Sequence, residues 1–464
     1  MNTDSAFDTS LRRPAIALVA LLGTTLLIAA TALSEGQAKV GPKKLPGSGK
    51  AKVGAQAVLT QGRTTVGFWA GEAIPGTDWE SPGTYWNRRD TNNYTPYLWR
   101  VLSRYRIPLY FNLRYKRDFG PVPAGRPHRN DALPIIRKAN RLGVPVWGWV
   151  LIPYSDGYWA WEGAAVEQFK AVKALVRWAR AKRVRLRGLV LDPEPPPQTP
   201  FETRVAIRRG EAHAGFQPAL EQAIDPLGQC AAWDGYMLIQ RWAARNHVTL
   251  ATAPSPLALD DAEDGNLALQ DAAGFIVPKA PWHAVFFQAY RSAFAYYAGR
   301  DPGPGIISSY FHSAQREFGS RGQVSLGSAG RGRYERFSTL LHDVRLAATL
   351  GARDLPIYSL ERTLRAYGGP RSLIRIVEAA QRPFTGDKRA KASGAAPRAT
   401  ELRAAIRNSD AAAAAATPAI TARRRGTPQA ANSWPNACST PTAPGSPSYA
   451  PAAPGARVYA PASK

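Results

Sequence analysis

The amino-acid sequence predicts one (β/α)8 barrel over residues 63–384. Apolar runs of four to eight residues alternate eight times with stretches of helical periodicity, which is the pattern of successive β-α-β units. Glycines stand where helices should end just before strands, as in Leu142-Gly143-Val144. No glycine-rich phosphate loop follows the first strand, which disfavours the alternative fold, an open doubly wound sheet. Eight units of this size match a TIM barrel.

The strands and helices can be placed in order along this region. Each strand is a short apolar run, and the predicted strands are residues 66–70, 107–113, 144–152, 187–192, 247–253, 284–289, 323–327 and 355–360. Between them apolar residues recur three and four positions apart, which predicts helices. The predicted helices are residues 97–105, 132–142, 166–181, 218–246, 266–273, 306–318, 334–350 and 371–381.

The segments outside the barrel differ from it in composition. Arg12 and Arg13 precede an apolar run at residues 15–33. Residues 1–38 are therefore predicted to be a secretory signal peptide or a membrane anchor. Residues 39–62, rich in lysine and glycine, are a predicted linker. Residues 385–464 are largely Ala, Pro, Ser, Thr and Arg and are predicted to be a disordered tail. We expect the barrel to be exported and periplasmic, secreted or membrane-anchored.

The charge of the chain bears on its partners. Its formal net charge is +26, which favours an anionic envelope polymer or membrane surface as a partner. A general arginine richness of the sequence is the alternative explanation. No helix-turn-helix, zinc-finger or RNP signature is present, so nucleic acid is not a predicted partner. Cys230 and Cys438 form neither a disulfide framework nor a metal-ligand pattern.

The fourth predicted strand carries the clearest chemical signal. Gly188-Leu189-Val190-Leu191 runs directly into Asp192-Pro193-Glu194, at the strand end where barrel active sites lie. Residues two apart on an extended backbone face the same side, so Asp192 and Glu194 should share a face. One of two carboxyl groups this close should have a raised pKa, as a general acid requires. The alternative is that these acids cap the next element or pair with Arg187 or Arg291.

Aromatic residues near the strand ends predict a carbohydrate partner. Trp69 ends the first strand, Trp147 and Trp149 alternate on the third, Tyr154 follows it, and Tyr358 lies on the eighth. Sugar rings stack on aromatic rings through their C–H faces, so these five residues are predicted to bind substrate. The alternative is ordinary packing against the barrel.

Three short stretches resemble the family 18 glycoside hydrolases, the chitinases and their relatives. Residues 188–194 are similar to the end of that family's fourth-strand motif, in which aspartates lead to a catalytic glutamate. Gln288-Ala289-Tyr290-Arg291 is similar to its sixth-strand motif, with Arg291 where an aspartate is usual. Residues 324–332 are similar to its seventh strand and the glycine-rich loop that follows. The resemblance covers the predicted barrel loosely.

The resemblance implies a set of residue roles. Glu194 would be the general acid, Asp192 would orient an acetamido group of the substrate, and Tyr290 would hydrogen-bond that group. Arg291 is added to the predicted substrate-binding residues. The Asp-x-Glu pattern at the fourth strand is also similar to that of the family 25 lysozymes, which cut peptidoglycan.

The sequence is compatible with three functions. The first is a glycoside hydrolase acting on an envelope or N-acetylated polysaccharide by carboxylate general acid catalysis. The second is a non-catalytic glycan-binding barrel at the cell envelope. The third is a barrel lyase or isomerase that uses Asp192 or Glu194 with a metal. The histidines are scattered without metal-ligand spacing. For the first two functions, no metal or other cofactor is therefore predicted.

Overall fold

The structure is a computed structural model. It describes residues 64–71, 94–116, 118–121, 132–153, 156–196, 226–265, 267–297, 299–386 and 397–416. The predictions for residues 1–38, for the linker at residues 39–62 and for Tyr154 fall outside these ranges. None of the helices within the ranges has the length and hydropathy needed to cross a bilayer.

Eight parallel strands close into a barrel in the order of the chain. They are β1 Thr65–Ala70, β2 Leu109–Arg114, β3 Val146–Leu151, β4 Gly188–Leu191, β5 Leu250–Thr252, β6 Val285–Gln288, β7 Gly322–Gly327 and β8 Asp354–Tyr358. The barrel closes where β1 pairs with β8, with Thr65 opposite Asp354. The predicted (β/α)8 barrel is thus confirmed, and the open doubly wound alternative is wrong.

Twelve helices accompany the strands in the described ranges. They are α1 Pro96–Arg104, α2 Leu133–Arg141, α3 Ala165–Ala181, α4 Pro226–Arg245, α5 Leu257–Asp264, α6 Ala268–Ala273, α7 Arg291–Tyr297, α8 Gly305–Phe318, α9 Phe337–Leu350, α10 Leu360–Ala366, α11 Arg371–Ala380 and α12 Pro397–Ala416. Short 3-10 turns cover Glu162–Ala164, Gly319–Arg321 and Gly332–Glu335.

The region after β5 differs most from the predicted elements. Instead of one helix at residues 266–273 there are two, α5 and α6, because Gly265 ends α5 with a left-handed φ of +71°. Strand β5 is also shorter than predicted. The Val248 amide donates to the Ala243 carbonyl (2.9 Å), so the end of α4 takes up residues assigned to the strand.

Successive side chains of each strand point to opposite faces and form two apolar cores. One fills the barrel interior, and the other lies between the strands and the helices. On β3, Trp147 and Trp149 point into the barrel, whereas Val146 and Val150 pack against the helices. On β4 only a glycine fits at position 188, because a Cβ there would lie 2.3 Å from the Trp147 ring. The barrel interior is therefore filled by large aromatic side chains, and a small residue on the next strand makes room for them.

Helix α12 lies within the tail that was predicted to be disordered, so that prediction is wrong for Pro397–Ala416. Its apolar residues Ala399, Leu402 and Ile406 are buried and recur three and four apart. The helix packs on α5, α6 and α8. The low-complexity composition of the whole tail concealed this short amphipathic stretch.

An ion cluster fixes α12 to α5. The guanidinium of Arg403 is nearly inaccessible; its Nε donates to Asp260 Oδ1 (2.8 Å), and its Nη2 forms an ion pair with Glu263 Oε2 (3.1 Å). It also lies 4.4 Å from the centre of the Tyr310 ring, whose hydroxyl donates to Asp260. Burial raises the pKa of Asp260 to about 6, although the charge of Arg403 opposes this shift.

We expect Arg403→Met to lower the free energy of unfolding by about 3–5 kcal/mol at about pH 7, because it leaves the buried Asp260 carboxylate without its cation. The loss should be smaller at about pH 5, where Asp260 takes up a proton. Chemical denaturation of the purified full chain measures both values.

Arg300→Met is the matched control, since Arg300 pairs with Glu401 of the same helix while both side chains are exposed (3.5 Å). That change should cost less than about 1 kcal/mol. Equal losses in the two variants would contradict the assigned role of Arg403.

Candidate active site

Strand β4 delivers both predicted carboxyl groups to the inner face of the barrel mouth. Val190 lies in the barrel interior, and Asp192 and Glu194 follow it at intervals of two. The extended backbone continues past the end of β4, because Pro193 forms an isolated parallel bridge with Ala160. The expectation that Asp192 and Glu194 share a face is met, and the pair lies at the carboxyl ends of the strands.

Asp192 is the buried member of the pair, with 3% of its surface exposed. Its Oδ2 accepts a hydrogen bond from the indole nitrogen of Trp149 (3.0 Å), and its Oδ1 accepts one from the side-chain amide of Gln288 (2.9 Å). Donors from β3 and β6 therefore hold the carboxyl group from two sides.

Glu194 is half-buried, and its Oε1 accepts a hydrogen bond from the same amide nitrogen of Gln288 (2.7 Å). The sequence analysis placed Gln288 in the sixth-strand motif but assigned it no role in the site. The signal available was a polar residue at the end of an otherwise apolar strand, two positions after the interior residue Phe286. Gln288 links the two carboxyl groups and belongs to the candidate site.

The protonation of the pair is unequal. Burial raises the pKa of Asp192 well above its usual range, and the nearby charge of Glu194 raises it further. Hydrogen bonds from Trp149 and Gln288 act in the opposite direction without offsetting burial. Burial and the neighbouring carboxyl group therefore favour the protonated form of Asp192, the more buried member of the pair.

The two arginines named as alternative partners of the pair bind elsewhere. The Arg291 guanidinium forms a two-pronged ion pair with Asp301 (2.6 and 2.8 Å) and a further one with Asp343 (3.1 Å). Arg187 acts on Asp354 and His283 at the other end of the barrel. The donors of Arg291 are thus engaged in a buried ion pair, and its role in substrate binding stays a prediction. The alternative, in which Arg187 or Arg291 pairs with Asp192 or Glu194, is not what the structure shows.

The three tryptophans predicted to bind sugar fill the barrel instead. Trp69, Trp147 and Trp149 expose only 2–5% of their surface. Trp69 donates to Ser325 Oγ (3.1 Å) and meets Trp149 edge to face, with ring centres 5.1 Å apart. Trp147 lies deeper, stacked on Tyr110. Neighbouring side chains cover their faces, so their burial does not favour direct sugar stacking, which stays a prediction for these three residues.

Partly exposed aromatic residues surround the carboxyl pair at the mouth. Tyr290 stacks on Tyr358, with ring centres 6.1 Å apart. The edge of Trp149 faces Tyr358 at 6.3 Å. Trp159, in the segment after β3, packs against the interior cluster and remains half-buried. Tyr290 and Tyr358 thus lie where they were predicted, and Trp159 joins them as a candidate sugar platform.

A separate cleft lies on the outer helical layer between α9 and α11. Its volume is about 590 Å³, and it is lined by Ser338, Leu341, His342, Arg345, Arg375, Glu378, Ala379, Arg382 and Phe384. Neither Asp192 nor Glu194 contributes to it. Within the described ranges, no group of three or more His, Cys, Asp and Glu side chains is arranged to hold a metal ion.

Comparisons with known proteins give no family assignment. No model of a known protein family matches the chain, and no curated protein matches it. The resemblance to family 18 therefore stays a prediction.

Similar solved structures include proteins of different activities. The glycoside hydrolase domain of PgaB (BpsB) from Bordetella bronchiseptica is 12% identical, with a TM-score of 0.39 over 66% of this chain and 97% of that one. A putative alpha-L-fucosidase from Bacteroides thetaiotaomicron is 10% identical, with a TM-score of 0.35 over 72% and 99%. A mandelate oxidase variant is 12% identical, with a TM-score of 0.28 over 72% and 74%.

The raised pKa of Asp192 predicts a pH-dependent stability. Folding favours the protonated form of this carboxyl, so its contribution is complete below the unfolded-state pKa of about 3.9 and is lost as the pH rises through the folded-state value. In Asp192→Asn this loss disappears. We expect the free energy of unfolding of the variant to gain on that of the wild type as the pH rises from about 4 to 8.

The control is Asp234→Asn, which changes an exposed carboxylate on α4. Its stability should follow the wild-type curve at every pH. If the Asp192→Asn curve ran parallel to the wild-type curve as well, Asp192 would not hold a proton in the folded protein.

Proposed function

We propose that this protein is a glycoside hydrolase that acts on an envelope or N-acetylated polysaccharide. The observation that carries the proposal is the contact of Asp192 and Glu194 with the single amide of Gln288 at the mouth of the barrel. A buried acid that keeps its proton lies behind a more exposed one. Such a pair can supply a proton to a glycosidic oxygen near neutral pH.

In this proposal the proton leaves the pair through Glu194. Asp192 is almost fully buried and bonded to Trp149 and Gln288, so it cannot reach a substrate directly. Glu194 is the member that solvent and substrate can reach. Glu194 is therefore the general acid, and Asp192 is the internal partner that holds and returns the proton.

The closeness of the two carboxyl groups bears on the nucleophile. Both accept a hydrogen bond from one amide nitrogen. Hydrolases that flank the scissile bond with two carboxylates keep them about 5–5.5 Å apart when retaining and about 6.5–9.5 Å apart when inverting. The shared amide leaves Asp192 and Glu194 closer than the inverting arrangement needs, and in this proposal both act from one side of the sugar.

An N-acetylated sugar supplies the missing nucleophile. As Glu194 gives its proton to the glycosidic oxygen, the bond from that oxygen to the anomeric carbon breaks. The carbonyl oxygen of the 2-acetamido group then bonds to the anomeric carbon and closes a second ring next to the sugar ring. Water later opens this second ring by attacking the anomeric carbon. The stacked rings of Tyr290 and Tyr358 lie beside the pair and would support the sugar. These roles also follow from the resemblance to family 18.

The setting proposed for the reaction is the cell envelope. The predicted export segment at residues 15–33 would place the barrel outside the cytoplasm. The charge of +26 favours a surface of opposite sign, such as an acidic wall polymer or a membrane.

We expect Glu194→Gln to reduce hydrolysis of N-acetylated oligosaccharides by about a hundredfold or more, because glutamine cannot donate the proton that the leaving group needs. Release of reducing ends from chitin-type and peptidoglycan-type oligosaccharides is the measurement. Glycan binding by the variant, followed by calorimetry, should persist.

Asp156→Asn is the control. This partly exposed carboxylate follows β3 and pairs with Lys116 (3.2 Å). It should leave turnover unchanged. The same substrates without their acetyl groups should not be cleaved by the wild type. Turnover that survived in Glu194→Gln would remove Glu194 from the mechanism, whereas glycan binding without any wild-type turnover would favour the non-catalytic barrel.

A further inference from the structure

The strands of a closed parallel barrel all begin at one end, opposite the end that carries Asp192 and Glu194. The segments that lead into β2–β8 therefore lie together at this end. They are residues 105–108, 142–145, 182–187, 246–249, 274–284, 319–321 and 351–353. We call the surface that these segments form the basal face.

The segments of the basal face contain basic residues and no Asp or Glu. Their lysines and arginines are Arg106, Lys182, Arg183, Arg185, Arg187, Lys279, Arg321 and Arg353. All six arginines among them are exposed. Arg141 and Arg245, the last residues of α2 and α4, are exposed at the same end. The basal face therefore presents positive charge to the solvent.

Carboxylates of neighbouring elements neutralise only part of this charge. Asp354, at the start of β8, is half-buried and interacts electrostatically with Arg187 and Arg353. Lys279 forms an ion pair with Glu317 (3.6 Å). Within the described ranges, the arginines of this end that form no ion pair with a carboxylate include Arg106, Arg183, Arg245 and Arg321. Their guanidinium groups are available to an anionic partner.

Helix stability does not account for all of these cations. A basic residue in the last turn of a helix is stabilised by the helix dipole. Arg106, Arg183 and His247 instead lie beyond the ends of α1, α3 and α4, with left-handed φ values of +48°, +51° and +55°. Glycine adopts this conformation with less strain, and it takes the equivalent position after α2, at Gly143. The basic side chains therefore carry a conformational cost, which indicates a role in binding.

An exposed apolar side chain lies among these cations. Leu142, next to Arg141, leaves 38% of its surface accessible to solvent. Basic groups together with an exposed apolar group are typical of surfaces that bind the membrane interface, where lipid phosphates and the ends of acyl chains lie side by side. A soluble polyanion would use the cations and leave Leu142 in water. Leu142 therefore favours a lipid surface over a soluble polymer.

The position of the N-terminal chain also favours a membrane. Strand β1 begins at Thr65, so the preceding residues enter the barrel at the basal face. Residues 34–63 join β1 to the apolar run at residues 15–33, which is predicted to be a signal peptide or membrane anchor. A segment of this length spans at most about 100 Å, so an uncleaved anchor would limit the distance between the basal face and the bilayer. The segment is itself basic, with Lys39, Lys43, Lys44, Lys50, Lys52 and Arg63.

We propose that the basal face binds the surface of a membrane that contains anionic phospholipid. The exposed guanidinium groups donate hydrogen bonds to lipid phosphates, and Leu142 enters the interfacial layer. Asp192 and Glu194 then face away from the bilayer, toward polymers outside it. The proposal does not rest on the hydrolase activity, because it uses residues at the opposite end of the barrel.

Energy transfer between a dye on the full-length protein and labelled lipid tests the orientation. The chain carries Cys230→Ser and Cys438→Ser, and the dye is attached through Ser320→Cys in the basal face. A matched dye is attached through Ser338→Cys near the start of α9, which follows the carboxyl end of β7. The vesicles are pure phosphatidylcholine or contain about 30% phosphatidylglycerol. Transfer from Ser320→Cys should rise about twofold or more on the anionic vesicles, because the attraction acts within about 10 Å of the surface. Transfer from Ser338→Cys should stay lower.

Removing three of the charges tests the contacts. Arg183→Asn, Arg245→Gln and Arg321→Gln, combined in the full chain, should reduce binding to the anionic vesicles about a hundredfold relative to the neutral ones. Each basic residue near an anionic surface contributes roughly fivefold. Asparagine at position 183 tolerates the left-handed φ of that residue. The ratio of the two affinities cancels any contribution from the apolar run at residues 15–33.

The matched control combines Arg336→Gln, Arg365→Gln and Arg371→Gln, which remove the same charge from exposed positions outside the basal face. This variant should retain the preference for anionic vesicles. Equal losses in the two triple variants, or equal transfer from Ser320→Cys on neutral and anionic vesicles, would overturn the proposal. Binding of soluble polyphosphate to the basal face without any vesicle preference would overturn it too, and would assign the face to an acidic polymer.

Discussion

The burial of one carboxyl group at the end of β4 is the constraint on which the candidate site depends. A carboxylate that loses its water must find donors or keep its proton. Asp192 has donors in Trp149 and Gln288, and burial together with the charge of Glu194 raises its pKa. The raised pKa of Asp192 is therefore a consequence of the packed barrel.

The packing of the barrel interior places this carboxyl group. Large rings occupy the layers beneath the mouth, and Gly188 on β4 leaves space for Trp147. Trp69 is fixed by its hydrogen bond to Ser325 and supports Trp149, which in turn reaches Asp192. A change deep in the barrel would therefore be felt at the carboxyl pair through contacts between rigid aromatic side chains. These tryptophans serve the site by orienting its acid.

The sequence predicted the strands and the shared face of Asp192 and Glu194, because both follow from the period of apolar residues along the chain. It did not predict how deeply each of these side chains is buried. The sequence around a tryptophan near the end of a strand does not show whether its ring is covered, as it is for Trp149, or partly exposed, as it is for Trp159 in the segment after β3. It also did not predict partners across the barrel. The contact of Gln288 with both acids and the ion pair of Arg291 with Asp343 join residues that are 94 and 52 positions apart, and no local pattern encodes them.

Helix α12, in the C-terminal tail, packs against helix α5, which follows β5. Ala253, whose carbonyl accepts a hydrogen bond from the Gln288 amide, directly follows β5, and α5 begins four residues later. Helix α12 is attached to α5 by the buried ion pair of Arg403 and Asp260. Removing either partner would leave the other as an uncompensated buried charge, which destabilises the fold. The segment that carries one of the three acceptors of Gln288 is thus anchored on its other side by residues from the end of the chain. It follows that α12 is a structural element of the barrel domain, because it supports the segment that carries the Ala253 carbonyl.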